Sequence, residues 1–341
     1  TVFEKESMVG GMLTLGIPSF RLEKDVVNAE IEILKVLGVE FKTGVEVGED
    51  VTLQLLREQG FEAFYVAIGA QAGRKLGIQG ENAEGVIAGV DFLRDVNLGN
   101  NVNLQGNVVV IGGGNVAIDV ARTTVRENVS KVEMYCLESR SEMPALEEEL
   151  NEALEENIAI NNSWGPKRIL VEHGKVVGVE FKKCISIFDE EGKFSPKYDE
   201  TNVITVQADY VLVSIGQSID WGNLLKGSKV KLNPNYTAIA DSFTYKTAQP
   251  DVFVGGDVYT GAKFAIDAIA AGKQGAISIH RYVWEGQSLT YGRDRREYHA
   301  LDKDNVVVES YDNIQRQRAG HTKLDKNSFA RSEEHTSELQ S

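Results

Sequence analysis

The sequence is poor in the features that mark membrane, secreted and metal-binding proteins. Its 341 residues include two cysteines, Cys136 and Cys184, and five histidines that show no metal-ligand spacing. Two distant cysteines argue against a disulfide framework and are typical of a reducing compartment, so we expect a cytoplasmic protein. No apolar run reaches the roughly 18 residues that a membrane-spanning helix requires, and the opening residues lack the pattern of a secretory signal. We expect neither a metal site nor a membrane partner.

Positive charge is also scarce, because 36 Lys and Arg stand against 51 Asp and Glu and leave a net charge of −15. That charge repels nucleic acid phosphates and anionic lipid, so we expect neither as a partner. The hydrophobic fraction of 42% is ordinary for a globular protein, and the length suits two domains.

A glycine cluster between a predicted strand and a predicted helix is the strongest motif. The Val-rich run Asn107–Ile111 is typical of a buried strand, and the six residues after it match the G-x-G-x-x-A pattern. The first glycine permits a tight turn, the second lets the backbone approach a pyrophosphate, and amides at the helix start face the phosphates. A glycine-rich turn without a ligand is the alternative, and the strand–helix context argues against it. The nucleotide-binding residues predicted here are Gly112, Gly113, Gly114, Asn115 and Val116.

The end of the next predicted strand bears on the choice of nucleotide. That strand, residues 131–137, is followed by Glu138, whose carboxylate can accept hydrogen bonds from a ribose 2′-hydroxyl and would repel a 2′-phosphate. Arg140 lies two residues further on and could reverse the preference. We predict that both residues bind the nucleotide and that NAD(H) is favoured over NADP(H).

Three more buried strands end in glycine, at Gly69, Gly216 and Gly256. The third is followed by Asp257 and a predicted helix at 263–284, which suits an FAD site. The Asp can hydrogen-bond the ribityl chain while the helix N-terminus faces the flavin pyrimidine edge. A Gly-Gly-Asp turn alone has little specificity, but the combination predicts a second dinucleotide site. The cofactor-binding residues predicted from these strand ends are Ala67, Gly69, Gly216, Gln217, Gly256, Asp257, Phe264 and Ala265.

The rest of the pattern predicts a loop, several strands and further helices. In an acidic helix at 145–157, the spacing of Leu146, Leu150 and Leu154 predicts one packing edge. The other predicted elements are a glycine-rich loop at 10–22, a helix at 23–37, strands at 39–41 and 45–47, a helix at 116–128 and antiparallel strands within 168–207.

Together these motifs carry a family resemblance. The chain resembles the glutamate synthase small-subunit family of pyridine-nucleotide flavoproteins, which also contains the large subunit of electron-bifurcating ferredoxin:NADP oxidoreductase and the flavin domains of dihydropyrimidine dehydrogenase. The match covers about residues 1–285, and its most specific parts are Gly-Ile-Pro-Ser-Phe-Arg at 16–21 and Glu-Met-Pro-Ala at 142–145. The resemblance implies an α/β fold of two Rossmann-like dinucleotide-binding domains. The NAD(P) domain is then inserted into a split FAD domain with a three-layer sandwich.

The resemblance also implies roles for individual residues. Glu4 would hold the FAD adenosine ribose, and Asp257 would take the ribityl chain. NADP-using members have two arginines where this chain has Leu137 and Glu138, which again favours NAD(H). Val47 would offer backbone to the adenine, and the remaining residues expected at the cofactor are Gly11, Met12 and Arg21.

The expected domain order follows the family. We expect the first part of the FAD domain at 1–100, the NAD(P) domain at 101–240, the second part of the FAD domain at 241–285, and an extension or linker at 286–330. Residues 331–341 resemble a translated sequencing adapter. The family's first strand and first FAD loop would precede Thr1, so we do not expect this stretch alone to retain FAD or to be active.

The resemblance implies an enzyme that passes hydride from NADH to FAD, and then single electrons to an iron–sulfur centre on a flanking domain or partner. Two cysteines cannot ligate a Cys₄ cluster, so any cluster would lie outside this chain. No catalytic side chain is predicted, because hydride transfer to flavin depends on positioning and electrostatics. Two alternatives are a glutamate synthase small chain that supplies electrons for glutamate synthesis, and a non-catalytic nucleotide-binding scaffold.

Overall fold

The computed structural model describes residues 1–127, 129–294, 299 and 302, where short strands alternate with helices. The elements before residue 100 are β1 Val2–Glu4, α1 Met12–Leu15, α2 Lys24–Val36, β2 Phe41–Thr43, α3 Leu53–Glu58, β3 Phe64–Val66, β4 Ala72–Gly73, β5 Val86–Ala88 and α4 Gly89–Asn97. The next are β6 Asn107–Ile111, α5 Asn115–Arg126, β7 Lys131–Tyr135, a 3₁₀ turn Arg140–Glu142, α6 Glu147–Glu155 and β8 Ala159–Asn161. The last are β9 Trp164–Glu172, β10 Lys175–Phe188, β11 Phe194–Gln207, β12 Tyr210–Val213, β13 Gln217–Ser218, β14 Val252–Val254, α7 Asp257–Thr260 and α8 Ala265–Val283. The adapter-like residues 331–341 and most of the expected extension at 286–330 lie outside the described residues.

A parallel sheet in the order β5-β12-β6-β7-β8 carries the glycine cluster. Its strands are rich in Val and Ile, as expected for strands that are covered on both faces. Helices α4, α5 and α6 cover one face, where Phe92, Ile118 and Met134 belong to one core. The antiparallel strands β9, β10 and β11 cover the other face, where Tyr135 stacks on Phe181 with ring centroids 4.3 Å apart. We call this assembly the nucleotide unit, and its three layers confirm the expected α/β class.

Two parallel strand pairs, β1 with β2 and β3 with β14, lie outside that sheet. Val66, Val252 and Val254 point into a separate core that also contains Trp221. Tyr65, which alternates with Val66 along β3, points to the opposite face, where α8 contacts both β3 and β14. We call this second assembly the cavity unit.

Strand pairing and core packing divide the chain differently from the expected boundaries at two places. Strand β5 and helix α4 precede residue 101, yet β5 is the edge strand of the nucleotide unit. Ile219, Trp221 and Ala238 precede residue 241, yet they pack with Val252 in the cavity unit. Both placements depend on long-range pairing, which leaves no mark in the local pattern.

Most local predictions are confirmed, and two are wrong. The strand Asn107–Ile111 is found, and the helices expected near 23–37, 116–128 and 263–284 are found with slightly shifted ends. Residues 10–22 contain helix α1, because Gly10 and Gly11, with φ of 113° and 53°, turn the chain into it. The strand expected at 45–47 is absent from those residues, where Val47 makes one isolated bridge to Val51.

The acidic helix packs on a different edge from the one predicted. Leu150 is buried, whereas Leu146 and Leu154 are exposed. Glu149 is buried in their place, and its carboxylate pairs with the guanidinium of Arg21. The buried side of this helix therefore combines the apolar residues Leu150 and Ala153 with a carboxylate paired to Arg21.

The contact between Tyr65 and α8 leads to a stability prediction. A Cβ atom on Gly275 would lie 2.1 Å from the Tyr65 ring, so Gly275→Ala should lower the free energy of unfolding by about 1–3 kcal/mol. Gly272→Ala in the same helix meets nothing within 4 Å and should be neutral or stabilising, because alanine is the better helix former. Urea unfolding followed by circular dichroism checks both variants. A Gly275→Ala protein as stable as its parent would show that the ring does not occupy this position.

Candidate functional site

A large cavity of about 1490 Å³ lies where strands of the cavity unit end. It exceeds the roughly 300–1,000 Å³ that suits a drug-sized ligand, and is large enough for a dinucleotide. The residues that line it come from β1, the start of α1, the ends of β3 and β14, and the start of α8. Ten residues predicted at the cofactor are among them: Glu4, Gly11, Met12, Val47, Ala67, Gly69, Gly256, Asp257, Phe264 and Ala265. Residues far apart in sequence therefore meet at one place.

The turn after β14 presents a carboxylate and a helix end to this cavity. Gly256 has φ 68° and ψ −151°, a conformation that favours glycine, and it starts the short helix that begins at Asp257. The Asp257 carboxylate accepts a hydrogen bond from the backbone N–H of Lys263 at 3.2 Å, and burial raises its pKa. Helix α8 then begins after Phe264 without a side-chain cap, so its first amides are available to a ligand.

Glu4 lies at the end of β1 on the same cavity. Its carboxylate accepts a hydrogen bond from the backbone N–H of Glu6 at 2.9 Å, and burial raises the pKa of Glu4. This acid ends a parallel strand, which is the position from which a carboxylate can reach a ribose.

Tyr65 is a lining residue that the sequence analysis did not identify. Its hydroxyl is buried, has no hydrogen-bond partner among the described residues, and burial raises its pKa to about 12. A Cβ on Gly255 would lie 1.8 Å from that hydroxyl, so the oxygen sits directly against the turn that precedes Asp257. The two acids and the uncapped helix are groups that a bound flavin dinucleotide would satisfy, whereas the Tyr65 hydroxyl is packed against Gly255 and the ring against α8. An aromatic residue inside a strand gives no sequence signal for this packing, because it is typical of any core.

The glycine cluster forms a tight loop between β6 and α5. Gly112 has φ 147°, and a Cβ there would lie 2.3 Å from the Ser214 carbonyl oxygen, so only glycine fits. Gly114 is the N-cap of α5 and meets only Pro144, at 3.9 Å, which leaves the backbone open to a ligand. Asn115 accepts a hydrogen bond from the backbone N–H of Leu146 at 3.0 Å and so joins the loop to the start of α6. The loop has the geometry that a pyrophosphate site requires.

Glu138 and Arg140 follow β7 beside this loop. A Cβ on Gly113 would lie 2.7 Å from the Glu138 carboxylate, which places that carboxylate against the loop. Arg140 donates through Nη2 to Glu147 at 2.8 Å, whereas its Nη1 is buried without a hydrogen-bond partner among the described residues. Val116 is in the first turn of α5.

Among the predicted residues outside the glycine cluster and the end of β7, three lie away from the cavity lining. Gly216 and Gln217 follow β12, and Gln217 pairs in β13 with Gly73 of β4. Arg21 donates through Nη1 to both Asp119 carboxylate oxygens at 2.7 Å and through Nη2 to Glu149. Its guanidinium thus pairs with two buried carboxylates of the nucleotide unit and does not line the cavity.

The cysteines are not arranged for redox chemistry. Cys136 and Cys184 are free and buried, and burial raises the pKa of Cys136 to about 12. In the part of the chain that the structure describes, no group of three metal-ligating side chains comes together. None of the described helices is long and apolar enough to cross a bilayer.

These features define an α/β protein of the dinucleotide-binding class. The chain belongs to the pyridine nucleotide-disulphide oxidoreductase family, whose model matches residues 7–272. Membership confirms the family resemblance inferred from the motifs and supports binding of FAD and of a pyridine nucleotide.

Known proteins match most of this chain. It is 36% identical over 293 residues to the NADP(+)-dependent formate dehydrogenase subunit beta of Moorella thermoacetica, covering 84% of this chain. It is 31% identical over 305 residues to the glutamate synthase [NADPH] small chain of Escherichia coli, covering 83% of this chain. The chain spans 41% of the first relative's length and 63% of the second's. The solved structure of Mycobacterium tuberculosis FprA in complex with NADPH matches with a TM-score of 0.67 and 18% identity, covering 82% of this chain and 76% of FprA, which shows the fold alone.

The buried thiol gives a prediction about reactivity. In a Cys184→Ala variant, native Cys136 should not react with 5,5′-dithiobis(2-nitrobenzoate) at pH 8, because the reactive species is the thiolate and the pKa of Cys136 is raised to about 12. Unfolding in urea should release one reactive thiol. Since the thiol of the unfolded chain loses this proton near its ordinary pKa of 9.0, the free energy of unfolding should fall as pH rises from 9 toward 12. Rapid labelling of the native variant would contradict the burial.

Proposed function

We propose that this chain is the nucleotide-binding part of an NADH-dependent flavin oxidoreductase. Hydride passes from NADH to FAD, and single electrons then pass to an iron–sulfur centre on a flanking domain or partner. The observation that carries this proposal is the convergence of ten separately predicted residues, from Glu4 to Ala265, on one cavity of about 1490 Å³. The glycine loop at Gly112 supplies the second nucleotide site.

The residues of the cavity unit suit a bound flavin. Glu4 is placed to accept hydrogen bonds from the ribose, and Asp257 from the ribityl chain. FAD, when bound, supplies the step between two-electron and one-electron chemistry. The uncapped N-terminus of α8 contributes positive potential, which stabilises negative charge on a reduced ring. Among the described residues, the two cysteines are buried and no group of three metal-ligating side chains comes together, so this part of the chain offers no onward electron acceptor.

The names of the sequence relatives support a partner for the electrons. One is called a subunit beta and the other a small chain, so each is one part of a larger enzyme. A glutamate synthase small chain stays a second candidate because of the 31% match.

We propose NADH as the preferred nucleotide, although the names of both relatives specify NADP(H). The Glu138 carboxylate lies against the loop at Gly113, where it favours a 2′-hydroxyl over a 2′-phosphate. Arg140 is drawn toward Glu147, which offsets part of its charge. The positive charge of Arg140 is the feature that would favour a phosphate, so the two side chains compete.

Reduction of the flavin in the full-length protein tests the proposed function. NADH added without oxygen should bleach flavin absorbance at about 450 nm in unaltered protein. Gly112→Ala should keep its flavin but lose this bleaching, because the added Cβ would collide with the Ser214 carbonyl. Gly272→Ala, which has open space, is the matched control. A protein that binds FAD and is bleached by neither NADH nor NADPH is a scaffold.

The nucleotide preference is tested by kcat/KM for each nucleotide. We expect NADH to exceed NADPH by about tenfold or more, and Glu138→Arg to reverse the order by removing the repulsion and adding a phosphate ligand. Glu138→Gln, which removes only the charge, should lie between the two. A tenfold preference for NADPH in the unaltered protein would overturn the assignment.

A further inference from the structure

A short segment of the cavity unit reaches across to the nucleotide unit. Met12, Leu13 and Ile17 line the cavity, and within four residues of Ile17 the chain contacts helices α5 and α6. We call residues 16–24 the bridging segment. Arg21 in this segment donates through Nη1 to both carboxylate oxygens of Asp119 in α5 at 2.7 Å, and it also pairs with Glu149 of α6.

The two carboxylates that Arg21 holds are buried. The side chains of Asp119 and Glu149 are 7% and 8% exposed, whereas that of Arg21 is 29% exposed. Burial raises the pKa of both acids, and the nearby Arg21 opposes that shift. A buried ion pair of this kind is a poor source of stability compared with apolar packing, but it specifies one geometry.

A second contact fixes the same segment beside the first. The Phe20 ring lies under two guanidinium groups, with its centroid 4.7 Å from the Arg122 carbon and 4.0 Å from the Arg126 carbon. Both arginines pair with Glu156, whose side chain is fully buried. The bridging segment therefore contacts α5 at two adjacent residues: the Phe20 ring packs against Arg122 and Arg126, and Arg21 pairs with Asp119.

The same segment is also tied to the cavity wall. Lys24 donates to the carbonyl of Leu13 at 3.0 Å and to that of Ile17. Asn97 of α4 donates to the carbonyls of Leu15 at 2.9 Å and Ile17 at 3.5 Å, so the end of α1 also contacts the nucleotide unit directly. Movement of the bridging segment would therefore move α1, which lines the cavity.

Helix α5 is the rigid element that connects these contacts to the glycine loop. It begins at Asn115, directly after Gly114, and Asp119 lies one turn further along, about 6 Å from the helix start. Ile118 and Val120 beside Asp119 are fully buried, so the helix is packed firmly against the parallel sheet. One helix thus carries the nucleotide loop at its end and the Arg21 contact on its first turns.

We propose that Arg21 is a positioning residue that sets the distance and angle between the nicotinamide and the flavin. The inference rests on the proposed function. Hydride transfer needs the reacting atoms about 3–3.5 Å apart, and a displacement of about 1 Å can cost on the order of a hundredfold in rate. Arg21 contacts neither ligand and acts by holding α5 and the cavity wall in one arrangement.

The test compares flavin reduction in variants of the full-length protein. Arg21→Met should slow flavin reduction at saturating NADH by about ten- to a hundredfold and weaken the long-wavelength charge-transfer absorbance that reports stacking of nicotinamide on flavin. FAD content and the Kd for NADH should stay within about twofold, because Arg21 itself belongs to neither the cavity lining nor the glycine loop.

Arg57→Met is the matched control. Arg57 makes a bidentate pair with Asp251 at 2.5 and 3.2 Å, and its side chain is 28% exposed, close to the 29% of Arg21. That pair lies wholly within the cavity unit. The control should lose stability as Arg21→Met does, yet keep its rate of flavin reduction and its charge-transfer absorbance.

A third variant separates positioning from stability. Combining Arg21→Met with Asp119→Asn and Glu149→Gln leaves no buried carboxylate without its cation, so thermal stability should recover while reduction stays slow. Recovery of the rate together with stability would overturn the inference, as would a normal rate in Arg21→Met. If NADH does not reduce the flavin bound to the unaltered protein, that result would instead refute the proposed function.

Discussion

The structure depends on one constraint, which is that two units with separate cores are joined by buried charges at Arg21 in addition to the contact between α1 and α4. The nucleotide unit and the cavity unit each have their own core. Arg21 crosses between them to Asp119 and Glu149, and Phe20 crosses to Arg122 and Arg126. Any chemistry that uses both units requires this contact to keep one geometry, because a charge pair in a buried setting tolerates little displacement.

Both units combine a glycine turn, an uncapped helix N-terminus and a nearby carboxylate. In the nucleotide unit, β6 leads into a glycine turn and then into α5, which has no side-chain cap at Gly114. In the cavity unit, β14 leads into a glycine turn, the short α7 and then α8, which has no side-chain cap at Phe264. In each case a carboxylate lies close by, Glu138 beside the first turn and Asp257 at the second. Backbone amides suit the phosphates and carboxylates suit the sugar hydroxyls, so one local solution is used twice.

The buried polar groups are consistent with that division of roles. Burial raises the pKa of Glu4, Asp257 and Tyr65, and all three line the cavity. The Tyr65 hydroxyl has no partner among the described residues, whereas the buried Asp119 carboxylate is fully engaged by Arg21. The buried carboxylate between the units is therefore paired with a cation, whereas the acids Glu4 and Asp257 line the cavity.

The sequence by itself determined the local elements and the chemistry of the glycine turns. The strand Asn107–Ile111 and the helix after Gly114 follow from a Val-rich run and from the conformations that only glycine adopts. The glycine-ended strands supplied six of the predicted residues that line the cavity, and the family resemblance supplied the other four, which are Glu4, Gly11, Met12 and Val47.

Tertiary structure alone decided what depends on distant partners. It placed β5 in the nucleotide sheet and Trp221 in the cavity unit, and it turned Glu149 inward against the leucine pattern. It also pairs Arg21, a residue that the sequence predicts at the cofactor, with the carboxylate of Asp119. The reason is physical, since a buried carboxylate needs a cation, and which cation reaches it depends on packing between segments 98 residues apart.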